Sequence, residues 1–385
     1  MNNIELIATS TFGLEEMVKL EVKKLGYENL QVENGRVTFT ADLQAIPKTN
    51  LWLRTADRVL LKMGEFKATS FEELFQKTKA LPWETWIPEN GKFPVNGKSI
   101  KSQLFSVSDC QAIVKKAIVE RLKETYGVEW FQEDGPEYPV EVALLKDMAT
   151  LTIDTSGAGL HRRGYREQAL EAPLKETLAA ALVLLSRWRE DRVLVDPFCG
   201  SGTILIEAAM IGRNMAPGLQ RSFISESWPI IPKQFWKDAR VEALKSIRQD
   251  ERIHIMGADV DEKAIKIAQE NAYRAGVDDC ISFVAQDMAQ LRSDADYGYV
   301  ICNPPYGERL GEKEEVEKLY KRMGQVFKKF ETWSIYVITS HEEFEQLYGK
   351  RASKKRKLYN GRIKVDYYQF FGPKPPSELF GTLKE

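Results

Sequence analysis

The chain has 385 residues, 43% of them hydrophobic and 29% charged, which is enough apolar material for two or three packed domains. Its 55 basic and 56 acidic residues leave a formal charge of −1. That excludes a globally basic nucleic-acid coat, so any surface for a polyanion must be a local patch. In residues 1 to about 65, Ile4 to Ala8 reads as a strand and Gly13 to Leu25 as a helix, with Leu14, Met17, Val18, Val22 and Leu25 at helical spacing. Two short strands then meet near Asn34-Gly35, a hairpin dipeptide. The second zone, to about 155, opens with a helix from Phe71. Leu81 to Gly97, dense in Pro, Gly, Asn and Trp, reads as irregular. A strand from Ser99 to Val107, a helix from Asp109 to Lys123 and β-like runs Pro139 to Leu145 and Ala149 to Asp154 complete the zone.

From Arg192 onward apolar strands alternate with amphipathic helices, the pattern of an α/β fold with a mostly parallel sheet. The strands are Val193 to Val195, Ile253 to Ala258, Ile281 to Val284, Tyr299 to Cys302 and Ser334 to Thr339. Lys357 to Tyr359 and Arg362 to Phe370, joined by Asn360-Gly361, read as a closing antiparallel hairpin. Seven strands in this layout, a mostly parallel sheet closed by a hairpin, resemble the Rossmann-like domain of class I methyltransferases.

The first strand runs into Asp196-Pro197-Phe198-Cys199-Gly200-Ser201-Gly202-Thr203, followed by a helix from Ile204 to Met210. Glycines at a strand-to-helix turn let backbone approach a ligand closely. Leu205 stands where a dinucleotide fingerprint needs its third glycine, and the Gly-Lys-Ser/Thr of a phosphate loop is absent. The loop has no Lys or Arg, and Asp196 would repel phosphate. An acid there suits a ligand with an ammonium and a sulfonium, which points to S-adenosylmethionine, with S-adenosylhomocysteine as product. Asp259, ending the next strand, can accept both hydroxyls of a ribose. Asp261 is expected to cap the following helix. Asp287 can accept from an adenine amino group, or simply cap a turn.

Tyr299 to Cys302 delivers Asn303-Pro304-Pro305-Tyr306. An exocyclic amine on a base is a poor nucleophile because its lone pair is delocalised into the ring. The Asn303 side-chain oxygen and the Pro304 carbonyl can accept its N–H bonds and turn the lone pair toward a methyl donor. The prolines stiffen the loop, and Tyr306 offers a stacking face to a flipped base. The four residues are the catalytic candidates.

The cysteines, Cys110, Cys199, Cys280 and Cys302, contain no C-x-x-C pair, and the three histidines are scattered, so no metal site is expected. Cys302 is expected to pack in the core. The N-terminus lacks the layout of a secretory signal, and the longest apolar run, around Leu178 to Leu185, is far shorter than the ~20 residues a membrane helix needs. A reduced, cytoplasmic, soluble protein without a membrane partner is the expectation.

Asp196 to Thr203 with Asn303 to Tyr306 resembles the amino-methyltransferases. Gly159 to Arg166 (GLHRRGYR) and Ala172 to Ala180 (APLKETLAA) narrow the resemblance to the THUMP-domain RNA methyltransferases, in particular the bacterial group that forms N2-methylguanine in 23S ribosomal RNA. It covers nearly the whole chain. It implies a ferredoxin-like unit over 1–65, a THUMP RNA-binding domain over 66–155 and a catalytic domain over 156–385. It also implies RNA, and specifically 23S rRNA, as partner. By the same resemblance, Asp196, Phe198, Gly200, Gly202 and Thr203 line the methionine side of the cofactor, with Pro197, Cys199 and Ser201 in the same loop. Asp259 would hold the ribose and Asp287 the adenine.

His161, Arg162, Arg163 and Arg166 are candidates for RNA phosphate contacts or for ordering a loop over the site, and Glu176 is read as a helix-surface residue. Residues 350 to 364 hold eight basic side chains and no acid, with Lys354, Lys355, Arg356 and Lys357 at their centre, a patch able to bind phosphates. Lys98, Lys101, Lys115 and Lys116 are further basic positions, and Trp83 and Trp86 are read as core. The tetrapeptide does not distinguish guanine from adenine or RNA from DNA. An N6-adenine methyltransferase and a tRNA guanine N2-methyltransferase therefore stay open beside the leading reading, while the N-terminal zones, which resemble an RNA-binding module, argue against a protein glutamine methyltransferase.

Overall fold

The computed structural model describes residues 3–166, 174–307 and 313–376. Ala172 and Pro173 of the quoted motif lie outside them. In chain order the first elements are β1 (Ile4–Thr9), α1 (Glu15–Lys24), β2 (Gln31–Glu33), β3 (Arg36–Ala41), α2 (Ala45–Trp52), β4 (Arg58–Lys67), α3 (Phe71–Lys79), β5 (Val95–Ile100), α4 (Val107–Tyr126), β6 (Val140–Leu145) and β7 (Met148–Asp154). They are followed by α5 (Glu176–Ser186), β8 (Leu194–Asp196), α6 (Thr203–Gly212), α7 (Lys233–Lys245), β9 (Ile255–Asp259), α8 (Glu262–Ala275), β10 (Ile281–Ala285), β11 (Tyr299–Cys302), α9 (Lys313–Phe327), β12 (Ser334–Thr339), α10 (Phe344–Tyr348), β13 (Lys354–Asn360) and β14 (Ile363–Phe370). No helix among the described residues is long and apolar enough to cross a membrane.

The chain forms two compact units. The first comprises Met1–Ser10, Val18–Leu160 and Arg221–Glu242; the second comprises Thr11–Met17, His161–Gln220 and Ala243–Glu385. In the first, a single seven-stranded sheet runs β2-β3-β1-β4-β7-β6-β5. The pairing of β4 with β7 joins the two N-terminal zones into that one sheet. All neighbours are antiparallel except β5 and β6. Sequence periodicity gives no expectation of α2, because the helix is buried on nearly all sides and shows no polar stripe.

The strand expected over Ser99 to Val107 is instead Val95–Ile100, and α4 already begins at Val107. Turn-type residues conceal β5. Its Gly97 lies so close to Gln111, Val107 and Val142 that an added Cβ would meet them at 3.0–3.3 Å, so the glycine serves packing, not a turn. Trp83 and Trp86 are core residues. Arg221–Glu242 lies late in the sequence yet belongs to this unit. Trp228 stacks on Tyr138 at 4.7 Å and donates to the Glu137 carbonyl, and Phe223 stacks on Trp236.

The second unit carries a sheet in the order β10-β9-β8-β11-β12-β14-β13. The five strands β8 to β12 are parallel, and β14 pairs antiparallel with both β12 and β13. This is the expected mostly parallel sheet closed by a hairpin. Strand order reverses between β8 and β11, and in such sheets ligands bind in the crevice at the carboxyl ends of the strands on either side. Both sequence motifs leave from those two strands.

A buried ion pair braces this unit. Arg163 is 2% exposed and Glu207, on α6, is fully buried; the guanidinium donates to both carboxylate oxygens at 3.2 and 3.4 Å. The Tyr165 hydroxyl donates to Glu207 as well. Removing one partner strands a buried charge. Glu207→Ala is therefore expected to lower unfolding free energy by about 3–5 kcal/mol in urea titrations. Glu207→Leu with Arg163→Met, which leaves no charge, should recover most of that loss. A Glu207→Ala protein of unchanged stability would show that the pair does not brace the unit.

Candidate active site

β8 is buried over its whole length and ends in Asp196. The chain turns at once. The Cys199 N–H donates to the Ala258 carbonyl of β9, and the Gly202 N–H donates to the Cys199 carbonyl. Gly200 and Gly202 have φ of +49° and +81°, in the left-handed region. A Cβ on Gly202 would also meet Ala268 and Phe283 at 3.1–3.2 Å. The buried Asn271 amide on α8 donates to the Ser201 carbonyl. Arg166 donates to Thr203 Oγ1, at the start of α6, and to the Leu174 carbonyl at 3.1 Å. The loop is thus set in shape by neighbours on several sides.

Asp196 is 2% exposed, and its one hydrogen bond among the described residues comes from the Phe198 N–H at 3.0 Å. No Lys, Arg or His pairs with it among the described residues. Burial, with the nearby Asp259 charge, lifts its pKa well above the usual carboxylate range. A buried carboxyl without a paired cation either keeps its proton or can take up a positive ligand, such as one with an ammonium and a sulfonium. Asp259, at the end of β9, accepts from the Gly200 N–H at 2.9 Å on one oxygen and from the Asp261 N–H at 3.0 Å on the other. Each oxygen keeps a lone pair for a ligand hydroxyl. Asp261 caps α8 by accepting from the Lys263 N–H.

Asp287 caps the short turn Met288–Gln290 and is bound by both Nη atoms of Arg322 at 3.0 Å, so it is not an open acceptor like Asp259. Sequence reasoning passed over Val260. It is 72% exposed directly after Asp259, an apolar surface beside two carboxylates where a flat purine can rest. Its only signal is position, one residue past a strand-end acid.

β11 pairs with β8 and delivers Asn303. Pro304 is buried, Pro305 exposed, and Asn303 and Tyr306 half-buried. The Tyr306 hydroxyl donates to Asn303 Oδ1 at 2.6 Å, so the side chain presents a fixed acceptor oxygen. From α9 the buried Tyr320 hydroxyl donates to the Pro305 carbonyl at 2.7 Å and lies 2.8 Å from Thr339 Oγ1 at the end of β12. Tyr320 is also beyond sequence reading, since its hydroxyl reaches back fifteen residues. Cys302 is fully buried, and burial pushes its thiol far up in pKa, which suits packing and not nucleophilic attack.

The basic candidates divide. Arg163 is buried and paired with Glu207 inside the unit, which corrects the first of its two expected roles, contact with RNA phosphate. Arg166 faces Thr203 and Glu176 and belongs to the cofactor loop's support. Glu176 is buried, not on a helix surface, because it faces that guanidinium at 3.5 Å. His161 is half-buried and Arg162 exposed. On the edge strand β13, Lys354 and Lys357 are exposed and Arg356 is half-buried. Lys355 lies 3.6 Å from Asp366 and over the Tyr368 ring. In the first unit Lys98 pairs with Glu141, and Lys115 with Glu133.

Tyr320→Phe removes the bond that fixes the Pro305 carbonyl. A lost hydrogen bond of about 1 kcal/mol predicts a roughly fivefold lower kcat, with cofactor affinity unchanged. Steady-state kinetics beside cofactor titration checks this; an unaltered kcat would remove Tyr320 from the positioning of the loop.

Known proteins share this architecture. A family model described as "RMKL-like, methyltransferase domain" matches residues 163–369, an "RlmL ferredoxin-like domain" matches 5–60 and a "THUMP domain" matches 68–154. A Bacillus subtilis (strain 168) protein named "Putative RNA methyltransferase YpsC" is 54% identical over 378 residues, covering 98% of both chains. The crystal structure of "a predicted N6-adenine-specific DNA methylase" from Listeria monocytogenes str. 4b F2365 superposes with a TM-score of 0.93 at 55% identity, over 97% of each chain. That of "SMU.472, a putative methyltransferase complexed with SAH" gives 0.93 at 44% identity, over 98% of this chain and all of that one. With the loop, the buried Asp196 carboxyl and the sheet order already in place, the chain belongs to the RMKL-like methyltransferase family, an enzyme that uses S-adenosylmethionine and carries ferredoxin-like and THUMP domains N-terminal to its methyltransferase domain.

Proposed function

We propose that this methyltransferase acts on RNA and methylates the exocyclic amine of a base, N2 of guanine in 23S ribosomal RNA. The observation that carries the amine is Asn303 Oδ1, held by Tyr306 at the end of β11, the strand beside the one that leads into the cofactor loop. RNA as substrate is supported by the THUMP match, by the printed name of the Bacillus relative and by the basic edge strand β13. Guanine N2 and 23S rRNA rest on the resemblance of the whole chain and on the RlmL-type N-terminal unit.

In this reading Asp196, Phe198 and the backbone of Gly200 to Thr203 hold the methionine end of the cofactor. Asp259 holds the ribose and Val260 lies against the purine. Asp287 meets the adenine amino group with whatever acceptor capacity Arg322 leaves it. The bound cofactor supplies an electrophilic methyl on a cationic sulfur. The Tyr306 hydroxyl gives way on Asn303 Oδ1 to an amine N–H of the target, and the Pro304 carbonyl accepts the second. Two acceptors on one nitrogen favour a pyramidal geometry and stabilise the positive charge that develops there. The Tyr306 ring stacks on the extruded base, a contact worth roughly 1–3 kcal/mol. The thiol of Cys302 takes no part.

The printed name of the Listeria structure favours a second reading, N6 of adenine. Nucleoside mass spectrometry of RNA from cells with and without the protein separates the two. Loss of N2-methylguanosine from 23S rRNA is expected; loss of N6-methyladenosine with N2-methylguanosine intact would overturn the guanine assignment. Asn303→Ala is expected to lower kcat by at least about a hundredfold, the scale of one lost transition-state hydrogen-bonding group, while the cofactor still binds. A near-normal kcat would exclude the tetrapeptide from the chemistry.

A further inference from the structure

Of the three carboxyls read as cofactor ligands, Asp287 alone is held by a side chain among the described residues; Asp196 and Asp259 accept backbone N–H groups. Arg322 Nη1 donates to Asp287 Oδ2 at 3.0 Å, and Nη2 lies 3.0 Å from Oδ1. The Ala289 N–H donates to Oδ1 at 2.8 Å. A two-pronged guanidinium fixes the plane of a carboxylate as well as its place. A lysine ammonium, a point charge on a flexible stem, would not fix the plane. Each carboxylate oxygen offers about two acceptor sites. Oδ1 is therefore filled, Oδ2 keeps one site, and Arg322 sets the direction of that site.

The neighbours of Asp287 are fixed on both sides. β10 runs parallel to β9 with Ala285 beside Asp259, and the Gln286 N–H donates to the Asp259 carbonyl at 2.9 Å. Asp287 thus follows directly on a residue tied to the acid read as the ribose acceptor. On the other side, Met288 and Leu291 share a buried cluster with Val316, Tyr320 and Met323 of α9. The same helix holds the Pro305 carbonyl through Tyr320. Arg322, two residues further on, projects from the far side of α9, with half of its side chain exposed. A pair this open adds little to folding stability, so its effect is on where the carboxylate points.

Direction matters because of how purines differ along one edge. Adenine carries an amino group at position 6, which donates. A 6-oxo purine carries a carbonyl there and moves its donor to N1. A carboxylate lone pair fixed on position 6 accepts from adenine and is opposed by the oxygen of the 6-oxo ring. A carboxylate free to turn can accept the N1–H instead, and then it distinguishes the two rings poorly. We propose that Arg322 is a positioning residue that makes the cofactor site selective for a 6-amino purine, by holding the open lone pair of Asp287 on the amino group. The proposal rests on the reading of Asp287 as the adenine acceptor.

Calorimetric titration of the full-length protein with S-adenosylhomocysteine and with its 6-oxo counterpart, S-inosylhomocysteine, tests this. The two compounds share ribose and amino acid. The ratio of their dissociation constants therefore reads the purine edge alone, and a general loosening of the site cancels. The unaltered protein is expected to prefer the 6-amino compound by at least about tenfold, the scale of one hydrogen bond replaced by two opposed acceptors. In Arg322→Lys, which keeps the charge and loses the two-pronged grip, the preference is expected to fall to about threefold or less. Its melting temperature is expected to stay the same, as befits a half-exposed pair. In Asp287→Ala the preference is expected to fall as far. A full preference in Arg322→Lys beside a lost one in Asp287→Ala would overturn the role of Arg322 and leave the adenine reading standing. A full preference in Asp287→Ala, or none in the unaltered protein, would sink the adenine reading and the proposal with it.

Discussion

Asp196 is a carboxyl at the end of a buried strand, with one backbone N–H for company and no cation nearby among the described residues. Placing such a group there costs several kcal/mol if it is charged, so it either keeps its proton or meets a positive ligand. The surrounding structure is organised around that alternative. Two left-handed glycines turn the loop after it, Asn271 and Arg166 fix that loop, and Asp259 accepts the Gly200 and Asp261 N–H groups on its two oxygens. The tetrapeptide Asn303 to Tyr306 is placed by the same sheet. β11 lies against β8, so Asn303 and Asp196 leave neighbouring strands at the sheet's switch point.

The support for this arrangement is buried and charged, which is unusual for a scaffold. Arg163 with Glu207, and Arg166 with Glu176, place two ion pairs behind the loop and the start of α6. Such pairs add little net stability compared with apolar packing, but each is costly to break singly. They also fix orientation, because a guanidinium bound on several sides has one position. The run GLHRRGYR is therefore mainly architecture: its arginines at 163 and 166 point inward to carboxylates and a threonine.

Much of this was legible in the sequence, and the exceptions share a cause. Tyr299–Cys302 and Ser334–Thr339 fall where apolar runs place them, because a parallel strand buried on both faces leaves an unbroken apolar signature. Asp259 and Asp261 separate correctly into strand end and helix cap. β5 was hidden because its own Asn96 and Gly97, after Pro94, carry turn chemistry while the strand is held by its partner β6. Arg163 and Glu176 look like surface residues because charge normally means exposure, and neither partner, Glu207 nor Arg166, stands at a spacing that a local pattern would reveal. Tyr320 is invisible for the same reason. The role of Arg221–Glu242 in the first unit is set by Trp228, which stacks on Tyr138 and donates to the Glu137 carbonyl, contacts that no local pattern encodes.

The account depends most on Asp196 as the receptor for a cationic cofactor, and proton linkage reads that directly. Burial lifts the carboxyl's pKa, whereas a bound cation favours its charged form. Binding must then release a proton wherever the free protein still holds one, and affinity must rise with pH until the raised pKa is passed. Calorimetric titration with S-adenosylmethionine across pH, in buffers of differing ionisation enthalpy, measures both quantities. The account predicts proton release and weakening affinity toward acid in the unaltered protein. In Asp196→Asn it predicts neither, with affinity at least about tenfold lower throughout, the scale of one lost charge-assisted contact. Pairwise identical binding of the two proteins at every pH would contradict it.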